Sequence, residues 1–304
     1  MTILITGATG TVGRALASEL SRAGAPVRAL VTDAGRGRDL LPEGVELAVG
    51  DFADADSLAA AVRGVRQVFL AAPNHPDQAA WEVAMIDAGR AAGVRRVVKL
   101  SAHGARRGSP VAFWDAHARS EDHLASSGLD AVVLRPTTYA TNLLASWDAV
   151  ENGILPAPAA GARVSFIDPA DVAAAAAAVL TGRSAARGVL TLTGPAAIGF
   201  DDAAACLARL LDRPVGFVPL GDDEALGALV GAGASPWFAA NLVRVFGALR
   251  AGLADLTTPT VSGLVGRPPA SLWRALRPHV ARRMTQSGSA SSSAVIRQAE
   301  PARA

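Results

Sequence analysis

Lysine, tyrosine and cysteine each occur once in this chain of 304 residues, as Lys99, Tyr139 and Cys206. One cysteine excludes an intrachain disulfide framework and fits a reducing compartment. One lysine and one tyrosine restrict any chemistry that needs both to these two residues, forty positions apart in sequence. Aromatic residues make up only 5% and charged residues 18%, with Lys+Arg at 29 against Asp+Glu at 27. The charges are scattered, without an arginine run or interleaved aromatics, so no nucleic-acid partner is expected. The longest apolar run, Val172 to Leu180, is mostly alanine and too short to span a bilayer. The first residues lack a basic segment leading into an apolar stretch. These absences predict a cytoplasmic protein with neither nucleic acid nor membrane as partner.

Half of the residues are hydrophobic, which suffices for one large core. Apolar strand-like runs alternate with helical periodicity through the first half: strands at 2–6, 27–32, 45–49, 67–72, 94–101 and 131–135, and helices at 12–23, 57–62, 77–92 and 113–127. Strands that are apolar throughout and separated by helices predict a doubly wound parallel α/β sheet, the Rossmann arrangement. Beyond Pro136 the pattern loosens into helices at 168–181, 201–211, 222–231, 236–251 and 269–281, with short strands at 189–193 and 215–220. We expect a single dinucleotide-binding domain over 1–283, with a core at about 1–155 and a small α+β substrate lobe at about 156–283. The serine-rich stretch from Met284 to the end reads as a disordered tail.

Residues 2–14, TILITGATGTVGR, set Gly7, Gly10 and Gly13 between an apolar strand and an amphipathic helix. Gly7 permits the tight turn, Gly10 lets the backbone approach a diphosphate, and Gly13 lets the helix pack close to the strand. Free N–H groups and the positive end of the helix dipole then face the phosphates.

The spacing Gly-x-x-Gly-x-x-Gly resembles that of the extended and atypical short-chain dehydrogenases/reductases. RVVKLSAHGA (96–105), SEDHLASSGLDAVVLRPTTYATNLL (120–144) and TVSGLVGRPPASLW (260–273) are similar to the NmrA-like family, in particular its NAD(P)H-binding quinone-oxidoreductase type. The resemblance implies that Gly7, Ala8, Thr9, Gly10, Thr11, Val12 and Gly13 hold the dinucleotide. It implies that Asp51 and Phe52 frame the adenine, and that Ala71, Ala72 and Pro73 lie beside the ribose.

Thr32, at the end of the second strand, falls where relatives often carry arginine. Asp33 would favour NAD through the ribose 2′-hydroxyl, whereas Arg36 or Arg38 would favour NADP, and Arg14 is a further candidate for the 2′-phosphate. Resemblance to the family tips the expectation to NADP, with NAD as the alternative. Lys99 and Ser101 share one face of their strand. They are assigned to the cofactor, although the Lys99 amine would equally reach water at the strand end.

Typical short-chain dehydrogenases carry Tyr-x-x-x-Lys on the helix after the fifth strand. Here that helix reads WDAHARSEDHL, with His117 and Glu121 four apart. An ordinary alcohol dehydrogenase or sugar epimerase is thereby excluded. Hydride transfer to a quinone-like or conjugated carbonyl needs less help, because the protein chiefly orients two rings. His117, His103 and Tyr139 are the candidates to donate to the substrate. Against these stand plainer roles: His117–Glu121 as a surface pair, His103 as a loop residue and Tyr139 as packing. Trp147 and Phe166 are candidates for an aromatic pocket, while Trp81, Trp114 and Trp237 are expected in the core. Nothing has metal-ligand spacing, so no metal is expected. A small quinone-like molecule is the expected partner, with a homodimer also allowed. The alternative function is a non-catalytic NAD(P) sensor that binds a protein.

Overall fold

The computed structural model describes residues 1–298, with side chains through Thr285. The first half alternates as the periodicity requires: β1 (Thr2–Ile5), α1 (Thr11–Arg22), β2 (Val27–Val31), α2 (Ala34–Leu40), β3 (Glu46–Val49), α3 (Ala55–Ala61), β4 (Val65–Leu70), α4 (Gln78–Ala91), β5 (Arg96–Leu100), α5 (Ala112–Ser126) and β6 (Asp130–Pro136). A 3₁₀ turn (Ala140–Leu144) then leads to α6 (Trp147–Glu151), β7 (Ile154–Ala157), β8 (Arg163–Val164), α7 (Pro169–Leu180), β9 (Gly188–Leu192), β10 (Ile198–Gly199) and α8 (Phe200–Leu211). The remainder is β11 (Gly216–Pro219), α9 (Asp222–Gly231), α10 (Pro236–Arg250), α11 (Thr260–Val265) and α12 (Leu272–Gln298).

Seven strands form one sheet in the order β3-β2-β1-β4-β5-β6-β9, and every pair in it is parallel. Successive side chains alternate between two cores, as a strand's twofold period demands. Ile3, Ile5, Phe69 and Val98 pack with α1, α7 and α11 on one face. Leu4, Val68, Leu70 and Val97 pack with Leu58, Met85, Ile86 and Leu124 on the other. The order reverses between β1 and β4, and an open α/β sheet forms its ligand crevice at the carboxyl ends of such a pair.

Three expectations need correction. The sheet gains a seventh strand, because β9 pairs with β6 and α7 lies buried along its whole length against α1. Residues 169–192 therefore belong to the core, and the lobe is not one continuous segment. The helix expected over 57–62 begins earlier, at Ala55, because its N-cap is Asp54, whose carboxylate accepts from the backbone N–H of Asp56 and Ser57. Third, α12 continues as helix through Gln298. Residues 284–298 contain no proline, so nothing there breaks the helix that begins at Leu272. Residues 299–304 of the expected tail lie outside the described residues.

The lobe builds its own core from Leu143, Trp147, Leu155, Phe166, Phe200, Leu207, Leu249 and Leu276. No helix among the described residues is long and apolar enough to cross a membrane.

Candidate functional site

The loop between β1 and α1 is held by the end of β4. The Thr6 hydroxyl donates to the Ala71 carbonyl at 2.8 Å and accepts from the Ala71 N–H at 2.8 Å, which ties the two central strand ends together. Gly7 adopts φ +58°, a conformation that L side chains rarely take. A Cβ on Gly13 would stand 2.2 Å from the Gly7 carbonyl oxygen, so α1 can start this close to the strand only without a side chain there. Gly10 is the N-cap of α1, and its bare backbone faces a cleft of about 490 Å³. Space without side chains, beside the free N–H groups of a helix start, fits a diphosphate.

The same cleft is lined by Thr9, Thr11, Val12, Thr32, Asp51, Phe52, Ala71, Ala72 and Pro73 as well as the three glycines. Twelve expected cofactor residues thus converge from the ends of four neighbouring strands. Four do not line it. Ala8 is wholly buried beneath the loop. Arg36 is exposed in the first turn of α2. Ser101 lines a second cavity instead. The Lys99 amine is neither in water nor at the cleft: it lies 2.7 Å from Glu82, with both side chains at 0% exposure.

Trp81, expected only as core, lines the cleft. Its ring lies 6.2 Å from that of Phe52 at an interplanar angle of 14°, and His75 stacks on it at 4.3 Å. The missed signal was helix phase: Trp81 sits in the first turn of α4, directly after the β4 end that carries Ala71–Pro73. Asp33 is not a free carboxylate, since it caps α2 by accepting from the Arg36 N–H at 3.0 Å.

A second cavity, of about 460 Å³, adjoins the first. Ala71, Ala72, Pro73, Leu100 and Tyr139 line both. Phe113, Trp114, Phe238, Leu242 and Val245 give it an apolar, aromatic wall, with Ser101, His103 and His117 as polar groups. The ring of Trp114 occupies the space beside Gly104, where a Cβ would come within 2.4 Å of it. Trp147 and Phe166, the expected pocket aromatics, belong instead to the core of the lobe. They fail because α6 and the segment after β8 turn inward toward α8, where Phe166 meets Phe200 edge-on at 5.6 Å.

His117 is buried, not a surface partner of Glu121. Its Nδ1 lies 3.2 Å from the Lys99 amine and 3.0 Å from the Gln78 amide nitrogen. An ammonium only donates, so Nδ1 accepts and the ring proton resides on Nε2. Burial first, then the cations of Lys99 and Arg135, push the His117 pKa well below its ordinary value. Glu121 is engaged elsewhere, accepting from Ser101 and from both Nε and Nη2 of Arg135. His103 is also pushed down by burial, which the Leu253 carbonyl partly offsets. Burial raises the Tyr139 pKa strongly, and its hydroxyl has no hydrogen-bond partner among the described residues. The site therefore holds neutral donors at neutral pH. Cys206 is half-buried with its thiol pKa raised by burial, which makes it a packing residue. No cluster of metal-ligating side chains occurs among the described residues.

The profile of a family described as NAD(P)H-binding matches residues 7–183. An NAD(P)H azoreductase of Xenophilus azovorans is 33% identical over 92% of this chain and 98% of its own length. A (4-alkanoyl-5-oxo-2,5-dihydrofuran-3-yl)methyl phosphate reductase of Streptomyces griseus is 37% identical over 88% of this chain and 93% of its own. The NADPH-dependent quinone oxidoreductase of Escherichia coli, solved with NADPH, superposes with a TM-score of 0.81 at 28% identity, covering 93% of this chain and 99% of that one. The chain belongs to the NAD(P)H-binding family and is an NAD(P)H-dependent oxidoreductase.

Proposed function

We propose that the chain reduces a quinone-like or otherwise conjugated acceptor with NADPH and without a Tyr-x-x-x-Lys pair. The observation that carries this reading is the shared wall of the two cavities: whatever occupies the aromatic cavity meets, at Ala71, Leu100 and Tyr139, whatever occupies the dinucleotide cleft. Azo, unsaturated furanone and quinone compounds appear in the names of the three similar proteins, and conjugation is common to all of them.

Gly7, Gly10, Thr11, Val12 and Gly13 would hold the diphosphate, Phe52 and Trp81 the adenine, and Ala71–Pro73 the ribose. When bound, the nicotinamide supplies the hydride. Phe113, Trp114 and Phe238 orient a flat acceptor and exclude water. The Tyr139 hydroxyl, kept protonated by burial, donates to the acceptor oxygen or nitrogen where charge develops. Nε2–H of His117 is a second donor of the same kind. The balancing proton comes from solvent, because neither group gives up its proton readily at neutral pH.

Two features support NADPH over NADH. The carboxylate of Asp33 is occupied as a helix cap, and Arg36 stands exposed beside it, with a guanidinium suited to a 2′-phosphate. Anaerobic mixing with NADPH and 1,4-benzoquinone tests the reading at the nicotinamide absorbance. Oxidation dependent on the acceptor is expected. Tight binding of NADPH with no oxidation by any quinone, azo compound or conjugated ketone would leave the sensor reading in its place.

A further inference from the structure

A third cavity, of about 540 Å³, opens where the first turn of α1, the 3₁₀ turn after β6 and α12 meet. Its polar wall is Arg14, His279, Arg282 and Arg283. His279, Arg282 and Arg283 follow an i, i+3, i+4 spacing and so share one face of α12, beside the stripe of Leu272, Ala275, Leu276 and Val280 that anchors this helix to the lobe.

Like charges this close oppose folding, and a chain normally places carboxylates among them. Among the described residues, Arg14, Arg282 and Arg283 have no carboxylate within ion-pair distance. Asp168 raises the His279 pKa against the lowering by burial, Arg282, Arg14 and Arg283. The Nε of Arg14 is buried without a hydrogen-bond partner. Arg283 lies over the Trp147 ring at 5.3 Å, which fixes the direction of its guanidinium.

Two residues connect this cavity to the others. Asn142 also lines the acceptor cavity, and Thr11 also lines the dinucleotide cleft. The diphosphate already has the amides at Gly10–Gly13, which leaves the arginine cluster without a ligand. We infer that this cavity is a phosphate-binding site, and that the acceptor is a phosphate monoester whose ring lies in the aromatic cavity while its phosphate passes Asn142 to Arg14, Arg282 and Arg283. Forked guanidiniums suit a phosphate dianion, through paired charge-assisted hydrogen bonds. The inference rests on the acceptor cavity proposed above but not on turnover.

Calorimetry on protein saturated with NADPH provides the test, with phenyl phosphate and inorganic phosphate as probes. Phenyl phosphate is expected to bind at one site, more tightly than inorganic phosphate, and to lose on the order of tenfold in affinity in Arg282→Ala/Arg283→Ala. Arg282→Glu alone, at an exposed position away from Trp147, repeats the test without disturbing that stacking and is expected to give a similar loss. NADPH affinity is expected to stay unchanged in both variants. Equal affinity for the two probes would make free phosphate the occupant and overturn the assignment to the acceptor. Binding only to cofactor-free protein, or loss of NADPH affinity in the variants, would return the cluster to the cofactor's diphosphate and overturn the proposal. Absence of binding would overturn it outright. A chain that binds phenyl phosphate as expected and yet oxidises no NADPH would refute the oxidoreductase mechanism while leaving this site intact.

Discussion

The Lys99 amine and the Glu82 carboxylate meet at 2.7 Å with no solvent exposure on either side chain. This pair joins the middle of β5 to α4, and the same amine donates to Nδ1 of His117 at 3.2 Å. A fully buried ion pair is a poor source of net stability, but removing one partner strands the other. Lys99→Met is therefore expected to cost about 3–5 kcal/mol, read by urea unfolding. Lys99→Met combined with Glu82→Gln should recover much of that loss. In the single variant the imidazole also loses a neighbouring cation, so an NMR titration should find the His117 pKa higher than in the parent. A single variant as stable as the parent would refute the pairing.

Burial makes stability depend on acid. His117, His103 and His279 are all held below the ordinary histidine value of 6.5 in the folded chain. Between the folded and unfolded values the unfolded chain binds more protons, so stability is complete above about pH 6.5 and declines as the solution is acidified below it. His117→Gln removes the most strongly shifted of the three and should flatten that decline. Thermal unfolding followed from pH 8 to pH 5 checks both statements, and an unchanged slope in the variant would count against the burial of this ring.

Gly10 and Gly13 separate cofactor binding from folding. A Cβ at Gly10 meets only the Gly7 carbonyl, at 3.2 Å, whereas one at Gly13 would lie 2.2 Å from that oxygen and 2.8 Å from the Ala8 Cα. Gly10→Val should fold normally and lose dinucleotide affinity by about two orders of magnitude, since its side chain enters the diphosphate space. Gly13→Ala should cost about 1–3 kcal/mol or more by forcing α1 off the sheet. Cofactor titration and denaturant unfolding of both variants distinguish the two effects. Normal affinity in Gly10→Val would refute the loop assignment.

Position along the strands made the dinucleotide cleft legible. Thr32, Asp51, Phe52 and Ala71–Pro73, assigned through the family resemblance, each follow a strand by one to three positions, which brings them to one edge of the sheet. Side-chain direction was less legible. Lys99 and Ser101 do share one face, but that face looks toward α4 and α5, and only tertiary packing supplies Glu82 and Glu121 as their partners. Trp81 and Trp147 differ in role for a reason that no local pattern contains: the turn of α4 holding Trp81 borders the cleft, while α6 folds into the lobe. β9 was found as a strand, but its pairing with β6 depends on α7 crossing the sheet first.

Arg36 should decide between the two cofactors. Arg36→Ala is expected to weaken NADPH by about tenfold while leaving NADH unchanged, as loss of a charge-assisted contact to a 2′-phosphate would do. Asp33→Asn keeps an acceptor for the Arg36 N–H. It should leave both affinities nearly as they are, because its carboxylate serves the helix and not the ribose. Parallel titrations of the two variants with both dinucleotides check this. Weakened NADH binding in Asp33→Asn would reverse the preference.

Tyr139 and His117 line the proposed acceptor cavity, each kept neutral by burial, and their removal should act on the chemical step more than on cofactor binding. Tyr139→Phe keeps the ring in both cavity walls and deletes only a hydroxyl with no other partner among the described residues, so stability should be nearly unchanged. The lost donor is one whose hydrogen bond strengthens as charge develops on the acceptor, which places the effect on kcat rather than on KM. A fall of about 10- to 100-fold in kcat is expected, smaller than that of a complete oxyanion donor because a quinone is already activated. His117→Gln retains a donor of similar reach and should lose less, whereas His117→Leu should lose about as much as Tyr139→Phe. If donation and not proton release is their role, kcat in the parent should stay flat from about pH 7 to 9, since neither the lowered imidazole nor the raised phenol titrates there. A kcat that bends in that interval, or full turnover in Tyr139→Phe, would show that another group serves the acceptor.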